Sequence, residues 1–507
     1  MLKEYLIGVD IGTLGSKGVL IDAEGHVLST FFVEHGIEIP RPGWAEHNPE
    51  KIYWDEFKLI TSRLIKDAGI SADRVVGVGV SSLSPDACPI DENGNPIRNA
   101  LIYMDRRATD ECNLVRQIFG EDKIFKITGN AIDPYFAGYK MLWIMRNELE
   151  NYRKTWKFLN ACKYVVYKLT EVASIDISNA AINAPFFDIS RKTWSDEVCE
   201  KLNFDKEKLP DIYELGSIIG TVTRKASEEC MLPEGTPVIS CAPDALMSYY
   251  SVGGLDPGDA VFMYGTTGCC GIVTEKRVLD KRFINAFYIG GRLVLTAGLL
   301  TVGALVRWFR DEFGFVEREV ERLTGLSAYS LLDREAERIP PGSDGLIVLP
   351  YFMGERTPIW DPMARGLIFG LTLYHTRAHI FKAILESTGY ALRQHMEIAR
   401  ELGVEVRRIV AVNGGARSRL WRQIVSDILE MPQQYISKAT GAPYGDAFLA
   451  GVAVKIFKDP AQIREYVKID EEIRPNPENS KKYRELYKIY LELYPKLREN
   501  MHKLSQT

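Results

Sequence analysis

Leu6-Ile-Gly-Val-Asp10-Ile-Gly12-Thr13-Leu-Gly15-Ser16-Lys17-Gly18-Val-Leu-Ile21 reads as strand, tight turn, strand. Apolar residues flank a core of small residues and one carboxylate. Glycines at 12, 15 and 18 let the backbone bend and approach a ligand closely. The hydroxyls of Thr13 and Ser16, the free N–H groups of the turn and the neighbouring Lys17 suit a phosphate. Asp10 ends the first strand, a position from which it could hold a metal ion or its water.

Half a chain later, Met263-Tyr-Gly265-Thr266-Thr267-Gly268-Cys-Cys-Gly271-Ile-Val273 repeats the spacing. The offset is 265 − 12 = 253 residues in a chain of 507. A period of half the length predicts a duplicated fold with one phosphate-gripping turn per half. Met263 stands opposite Asp10, so only the first copy carries the carboxylate. Either copy alone reads equally as a glycine-rich hairpin; two at this offset favour phosphate.

Length predicts two or more domains. A hydrophobic content of 46% with 26% charged residues is that of a soluble globular chain. The net charge of −5 calls for neither nucleic acid nor an anionic membrane. The N-terminus enters a strand without a signal peptide's basic and apolar regions, and no apolar run is long enough to span a bilayer. Eight scattered cysteines without a Cys-x-x-Cys pair point to a reducing, cytoplasmic compartment. Cys269 and Cys270 read as packing residues, and His375 with His379 as structural, since no third zinc ligand lies nearby.

Between the repeats, a helix is expected from about 49 to 68, then a buried strand Val75–Val80 that runs into the polar turn Ser81-Ser82-Leu-Ser-Pro-Asp86. Gly77-Val-Gly79 mimics a dinucleotide fingerprint, but its last glycine is missing and no helix pattern follows. Tyr103-Met-Asp105-Arg-Arg107 is expected to open a helix, as a solvated face or as a pocket wall for hydroxyls. Tyr135 reads as a core aromatic or a pocket wall. Val238-Ile-Ser-Cys-Ala-Pro-Asp244 brings a carboxylate to a strand end, where open α/β folds place their chemistry; a helix N-cap is the alternative. Leu255-Asp-Pro-Gly258 marks a boundary, giving segments 1–254 and 255–460 and a helical tail 461–507. In the second half, Asn413-Gly414-Gly415-Ala416-Arg417 follows a strand and precedes a helix, a generic nucleotide site that recurs around Gly445. The tail is expected to pack on the body, with a bend or break at Pro495.

Three stretches resemble the FGGY carbohydrate kinases of the actin-like ATPase superfamily. Gly366-Leu-Ile-Phe-Gly370-Leu with His379-Ile-Phe-Lys-Ala-Ile-Leu-Glu386 matches the C-terminal signature. Tyr135–Lys140 with Leu142-Trp143-Ile-Met-Arg-Asn147 matches the N-terminal one, except that Ala137 replaces the usual Pro, Ser or Thr. Gly354-Glu-Arg-Thr-Pro358 is similar to the xylulokinase form of a second-domain loop.

The resemblance implies an α/β fold of two duplicated actin-like, ribonuclease H-like domains with a cleft between them. It implies that Asp10, Gly12 and Thr13 form the first phosphate motif, Gly265–Gly268 the second and Gly414–Arg417 the adenosine motif, with Asp244 as catalytic aspartate. ATP and Mg²⁺ follow, and a homodimer is a family-level expectation. The chemistry agrees, because phosphoryl transfer needs positioning, charge neutralisation and a base near the acceptor hydroxyl. Ser82, Asp86, Tyr103, Asp105, Tyr135 and Asp244 are the candidates to line a pocket for a small sugar, ketose or polyol, such as xylulose or ribulose. Leu83-Ser-Pro85 stands where xylulokinases have Gln-Met-His, and the Arg-Glu pair of glycerol kinases is missing, so glycerol, erythritol, a deoxysugar or a furanone remain alternatives. A nucleotide-switched binding protein sharing the actin-like core is the reading from another class.

Overall fold

Both glycine-rich stretches fold into hairpins with equivalent three-residue turns, at 12–14 and 265–267. The computed structural model describes residues 4–275, 277–437 and 440–505. In the first half, β1 (Tyr5–Ile11) pairs antiparallel with β2 (Gly15–Asp22), which places Asp10 opposite Lys17. β3 (Val27–Glu34), β4 (Val75–Ser82), β5 (Ile218–Thr221) and β6 (Pro237–Ser240) complete a sheet in the order β5-β6-β4-β1-β2-β3. In the second half, β7 (Asp259–Tyr264) and β8 (Gly268–Thr274) form the hairpin. With β9 (Ile284–Phe287), β10 (Leu293–Leu299), β11 (Arg408–Val412), β12 (Gln433–Tyr435) and β13 (Glu471–Ile473), the order is β9-β10-β8-β7-β11-β12-β13.

The duplication is legible in the pairing. β1 and β7 each have an antiparallel hairpin partner on one side and a parallel partner, β4 or β11, on the other. A further parallel strand and an antiparallel edge strand follow in both sheets. β9 is the added edge. β1 is buried along its whole length, as its continuous apolar run requires of a central strand with a parallel neighbour.

Seven helices matter to the site: α1 (Glu56–Ala68), α2 (Asp244–Ser251), α3 (Ala328–Ala336), α4 (Arg377–Glu401), α5 (Arg419–Leu429), α6 (Ala442–Ala453) and α7 (Pro477–Leu504). Two of them cross between the halves. α2 leaves the first sheet and rests on the second, where a Cβ on Gly271 would meet the Tyr249 ring at 2.0 Å. α6 leaves the second sheet and rests on the first, where Cβ atoms on Gly8 and Gly79 would meet the carbonyls of Pro443 and Asp446 at 1.9 and 2.5 Å. The spatial halves therefore differ from segments 1–254 and 255–460: residues 442–453 belong to the first sheet, because those glycines leave room only for a helix backbone.

Two local expectations are also corrected. Residues 103–107 form a corner and the helix begins at Thr109. Helix α7 continues through Pro495 without ending. Its buried face, Tyr483, Tyr487, Tyr490, Leu493 and Met501, is anchored on both sides of the proline, and the Tyr483 and Tyr487 hydroxyls donate to Glu386 and Glu397 of α4. Tertiary packing thus offsets the hydrogen bond that proline removes. Each of the eight cysteines is free, and among the described residues no helix is long and apolar enough to cross a membrane.

Candidate active site

A cavity of about 370 Å³ lies where the two turns approach each other. Thr13 and Leu14 border it from the first turn, and Gly265, Thr266 and Thr267 from the second. Tyr103, Tyr135 and Asp244 line its first-half wall, and Thr296, Arg356 and Asn413 its second-half wall. A second cavity of about 660 Å³ shares Gly265 and Thr266 with the first. The rest of its lining comes from the second half, including Arg307, Tyr329, Asp333, Gly414, Gly415, Arg417 and Trp421. The second turn is therefore the junction of two compartments.

Asp244 is the first residue of α2, and its carboxylate accepts the Ala245 amide at 2.6 Å. The N-cap position is held by Pro243 without a side-chain cap bond, and Asp244 itself lines the cavity. Burial, and next the charge of Asp10, push its pKa up to about 7, against the smaller opposing pull of the Ala245 amide and Lys17. A carboxylate tuned to that range accepts a proton efficiently near neutral pH. Asp10 is buried, with Oδ2 3.4 Å from the Lys17 ammonium and Oδ1 without a partner. Burial raises its pKa also, opposed by Lys17. Asp446 on α6 takes a hydrogen bond from Ser81 at 2.5 Å, and burial holds its pKa well above the ordinary carboxylate range, with Asp10 adding to the rise. The crossing helices thus bring acids from the middle and the last quarter of the sequence to the first hairpin.

The first turn is braced from behind. The Nε2 atom of His35 donates to the Gly12 carbonyl at 3.2 Å, and Nδ1 lies 3.0 Å from the Glu56 carboxylate. The His35 amide donates to the Leu14 carbonyl. His47 packs edge-on against His35 at 5.1 Å; burial and the His35 charge lower its pKa to about 4.

Several sequence candidates fall elsewhere. Ser82 is fully buried, donating to the Leu83 carbonyl and accepting the Cys162 amide. Asp86 is fully buried beside Asn160, and burial raises its pKa to about 7. Asp105 spends its oxygens on the Ala45 amide and on Arg107. All three are buried and absent from the cavity lining. Ser16 is buried, and its hydroxyl has no partner. Ala416 belongs to the hydrophobic core of the second half. Gly445 lies inside α6, where a Cβ would meet the Met247 carbonyl at 2.6 Å, so its role is the close crossing of α6 over α2. Gly12 closes its turn: a Cβ there would meet the Gly15 carbonyl at 2.5 Å.

Comparison with known proteins shows the family. Residues 5–250 match the N-terminal domain, and residues 260–454 the C-terminal domain, of the FGGY family of carbohydrate kinases. The chain belongs to this family. The xylulose kinase of Bacillus subtilis (strain 168) is 28% identical over 495 residues, covering 97% of each chain. A glycerol kinase of Listeria monocytogenes is 30% identical over 485 residues, 93% of this chain and 94% of the other. The crystal structure of xylulose kinase from Rhodospirillum rubrum superposes with a TM-score of 0.90 at 27% identity, covering 98% of this chain and 100% of that one. The fold is accordingly the duplicated actin-like one, and the chain is an ATP-dependent phosphotransferase acting on an alcohol group of a sugar or polyol.

This FGGY kinase also holds cavity residues that the sequence did not single out for a pocket: Ser84, Thr296 and Arg356 at the smaller cavity, and Asp333 at the larger; Asn413, from the expected nucleotide motif, lines the smaller one. Burial raises Asp333 to about 6, with the Ser418 hydroxyl pulling the other way. Arg356 lies inside the quoted Gly354–Pro358 motif, so a signal was present. What brings it to the cavity is contact with β10, which sequence spacing does not encode.

Proposed function

We propose that the smaller cavity receives a small ketose, most simply a pentulose such as xylulose or ribulose, and the larger one the nucleoside of ATP. The γ-phosphoryl group then lies at Gly265 and Thr266, opposite the first turn. Asp244 takes the proton of the terminal hydroxyl as its oxygen bonds to phosphorus, and the bond to the β-phosphate oxygen breaks to release ADP. Closure of the halves excludes water, which competes as acceptor. The observation that carries this reading is Asp244, a carboxylate raised to about 7 that faces a cavity ending at both phosphate turns.

The residues also fit a magnesium ion. Asp10 offers one buried, unpartnered carboxylate oxygen. Mg²⁺ is usually held by one or two carboxylates plus phosphate oxygens and waters, so Asp10 would hold it or its water. There it would neutralise charge on the transferred phosphate.

A coupled ADP-release assay across pentuloses, pentitols, tetritols and glycerol tests the assignment. ADP release should accelerate most with a pentulose. Acceleration by none of these acceptors refutes a small-carbohydrate cavity; preference for glycerol refutes the ketose assignment.

A further inference from the structure

The unexplained group in the smaller cavity is Arg356. Its loop is pinned on both flanks. The Glu355 carboxylate accepts the amides of Leu300 and Arg356 at 2.9 and 2.8 Å. The Thr357 hydroxyl accepts the Gly298 amide at 2.7 Å and lies 3.0 Å from the His395 ring. The guanidinium packs against Gly298, where a Cβ would stand 3.2 Å from Cζ, a close contact that a side chain there would tighten. Across the cleft it faces the Tyr135 and Tyr103 rings, at 5.4 and 6.0 Å from their centroids. Its Nε is buried without a hydrogen-bond partner. Among the described residues no carboxylate lies within ion-pair distance of it, although Glu355 is its neighbour in sequence.

A guanidinium is charged at every relevant pH, carries only donors and does not accept. The aromatic faces satisfy part of that charge but none of its N–H directions. What completes it is a ligand oxygen that accepts and carries no proton of its own. A hydroxyl can accept as well, but it brings a donor that the same rigid cation cannot satisfy.

We propose that Arg356 selects acceptors bearing a carbonyl-type oxygen, a ketone or a carboxylate, over the corresponding alditols. This rests on the cavity beside Asp244 being the acceptor site. Arg356 then works from the second half while Asp244 works from the first. The substrate is held at two ends: its reacting hydroxyl at the base, its oxo oxygen at the cation. Ketoses and sugar acids share the required chemistry, and matched substrates tell them apart.

The experiment measures kcat/KM at saturating ATP for pairs that differ at a single carbon: a pentulose against its pentitol, and an aldonate against its alditol. Wild type, Arg356→Gln and Arg356→Lys are compared. A lost charge-assisted hydrogen bond predicts that wild type favours the oxo member by about tenfold or more. Arg356→Gln should bring that ratio close to one by raising KM for the oxo member, with KM for ATP unchanged; Arg356→Lys should restore part of it. Preference for the pentulose assigns the carbonyl, and preference for the aldonate the carboxylate. Equal use of both members by wild type, or an undiminished ratio in Arg356→Gln, overturns the proposal while leaving the kinase reading intact. A rise in KM for ATP in Arg356→Gln assigns the cation to the phosphates and overturns it too. No turnover of any member in wild type would instead refute the acceptor site itself.

Discussion

Replacing Asp244 with asparagine should separate chemistry from stability. The side chain keeps its shape and its contact with the Ala245 amide, but it cannot take a proton. Removal of a general base predicts that kcat falls about 10²- to 10⁴-fold. The same change should stabilise the fold. Burial and Asp10 raise this carboxyl from 3.8 to about 7. Between those values the folded chain keeps a proton that the unfolded chain has released, so stability falls as pH rises through that window and the loss is complete above about 7. Unscreened, the loss is about 4 kcal/mol; cavity water and the shared titration with Asp10 reduce it to about 2 kcal/mol. Urea unfolding of both forms should therefore show the asparagine variant more stable by about 2 kcal/mol at pH 8, and by less than half of that at pH 5. In parallel, wild-type kcat/KM should rise with pH to a plateau above about 7, and the residual activity of the variant should lack that limb. Equal kcat refutes Asp244 as the base. Lost activity with no gain in stability at pH 8 refutes the burial and Asp10 proximity that are held to tune it.

Two further perturbations probe the frame around the base. His35→Ala removes the donor to the Gly12 carbonyl and should raise KM for ATP about fivefold, the worth of roughly 1 kcal/mol, with KM for the acceptor unchanged; His35→Gln should recover part of it, and equal changes in both constants would deny His35 a role at the phosphate turn. Gly8→Ala forces a methyl to 1.9 Å from the Pro443 carbonyl and should cost about 3 kcal/mol of stability in urea unfolding; a cost near zero would mean that α6 does not lie on the first sheet as described.

What the sequence determined by itself was local. The hairpins, their three-residue turns and the duplication follow from glycine spacing and β-branched runs, because turn geometry and strand patterning act over a few residues. That Asp244 follows a strand, and that Thr13 and Gly265–Thr267 sit in hairpin turns, was legible for the same reason; that Asp244 opens a helix was the alternative the sequence left open. Ser82, Asp86 and Asp105 show the limit: polar residues near a strand end look alike in sequence, and only the packing decides which lines the cavity and which is buried away from it. Gly445 and Ala416 carried a nucleotide-site spacing, yet the first was taken up by a helix crossing and the second by the core.

Tertiary structure alone decided the exchange of α2 and α6 between the sheets. That exchange follows from tertiary contacts, for α6 across hundreds of residues, where Gly8 and Gly79 admit a backbone and Gly271 the Tyr249 ring. It brings Asp446 beside Asp10. Contact with Gly298 similarly delivers Arg356 to a cavity whose other wall is made by Tyr103 and Tyr135. Desolvation of Asp244, and after it the nearby charge of Asp10, raise its basicity, and both are properties of the folded chain.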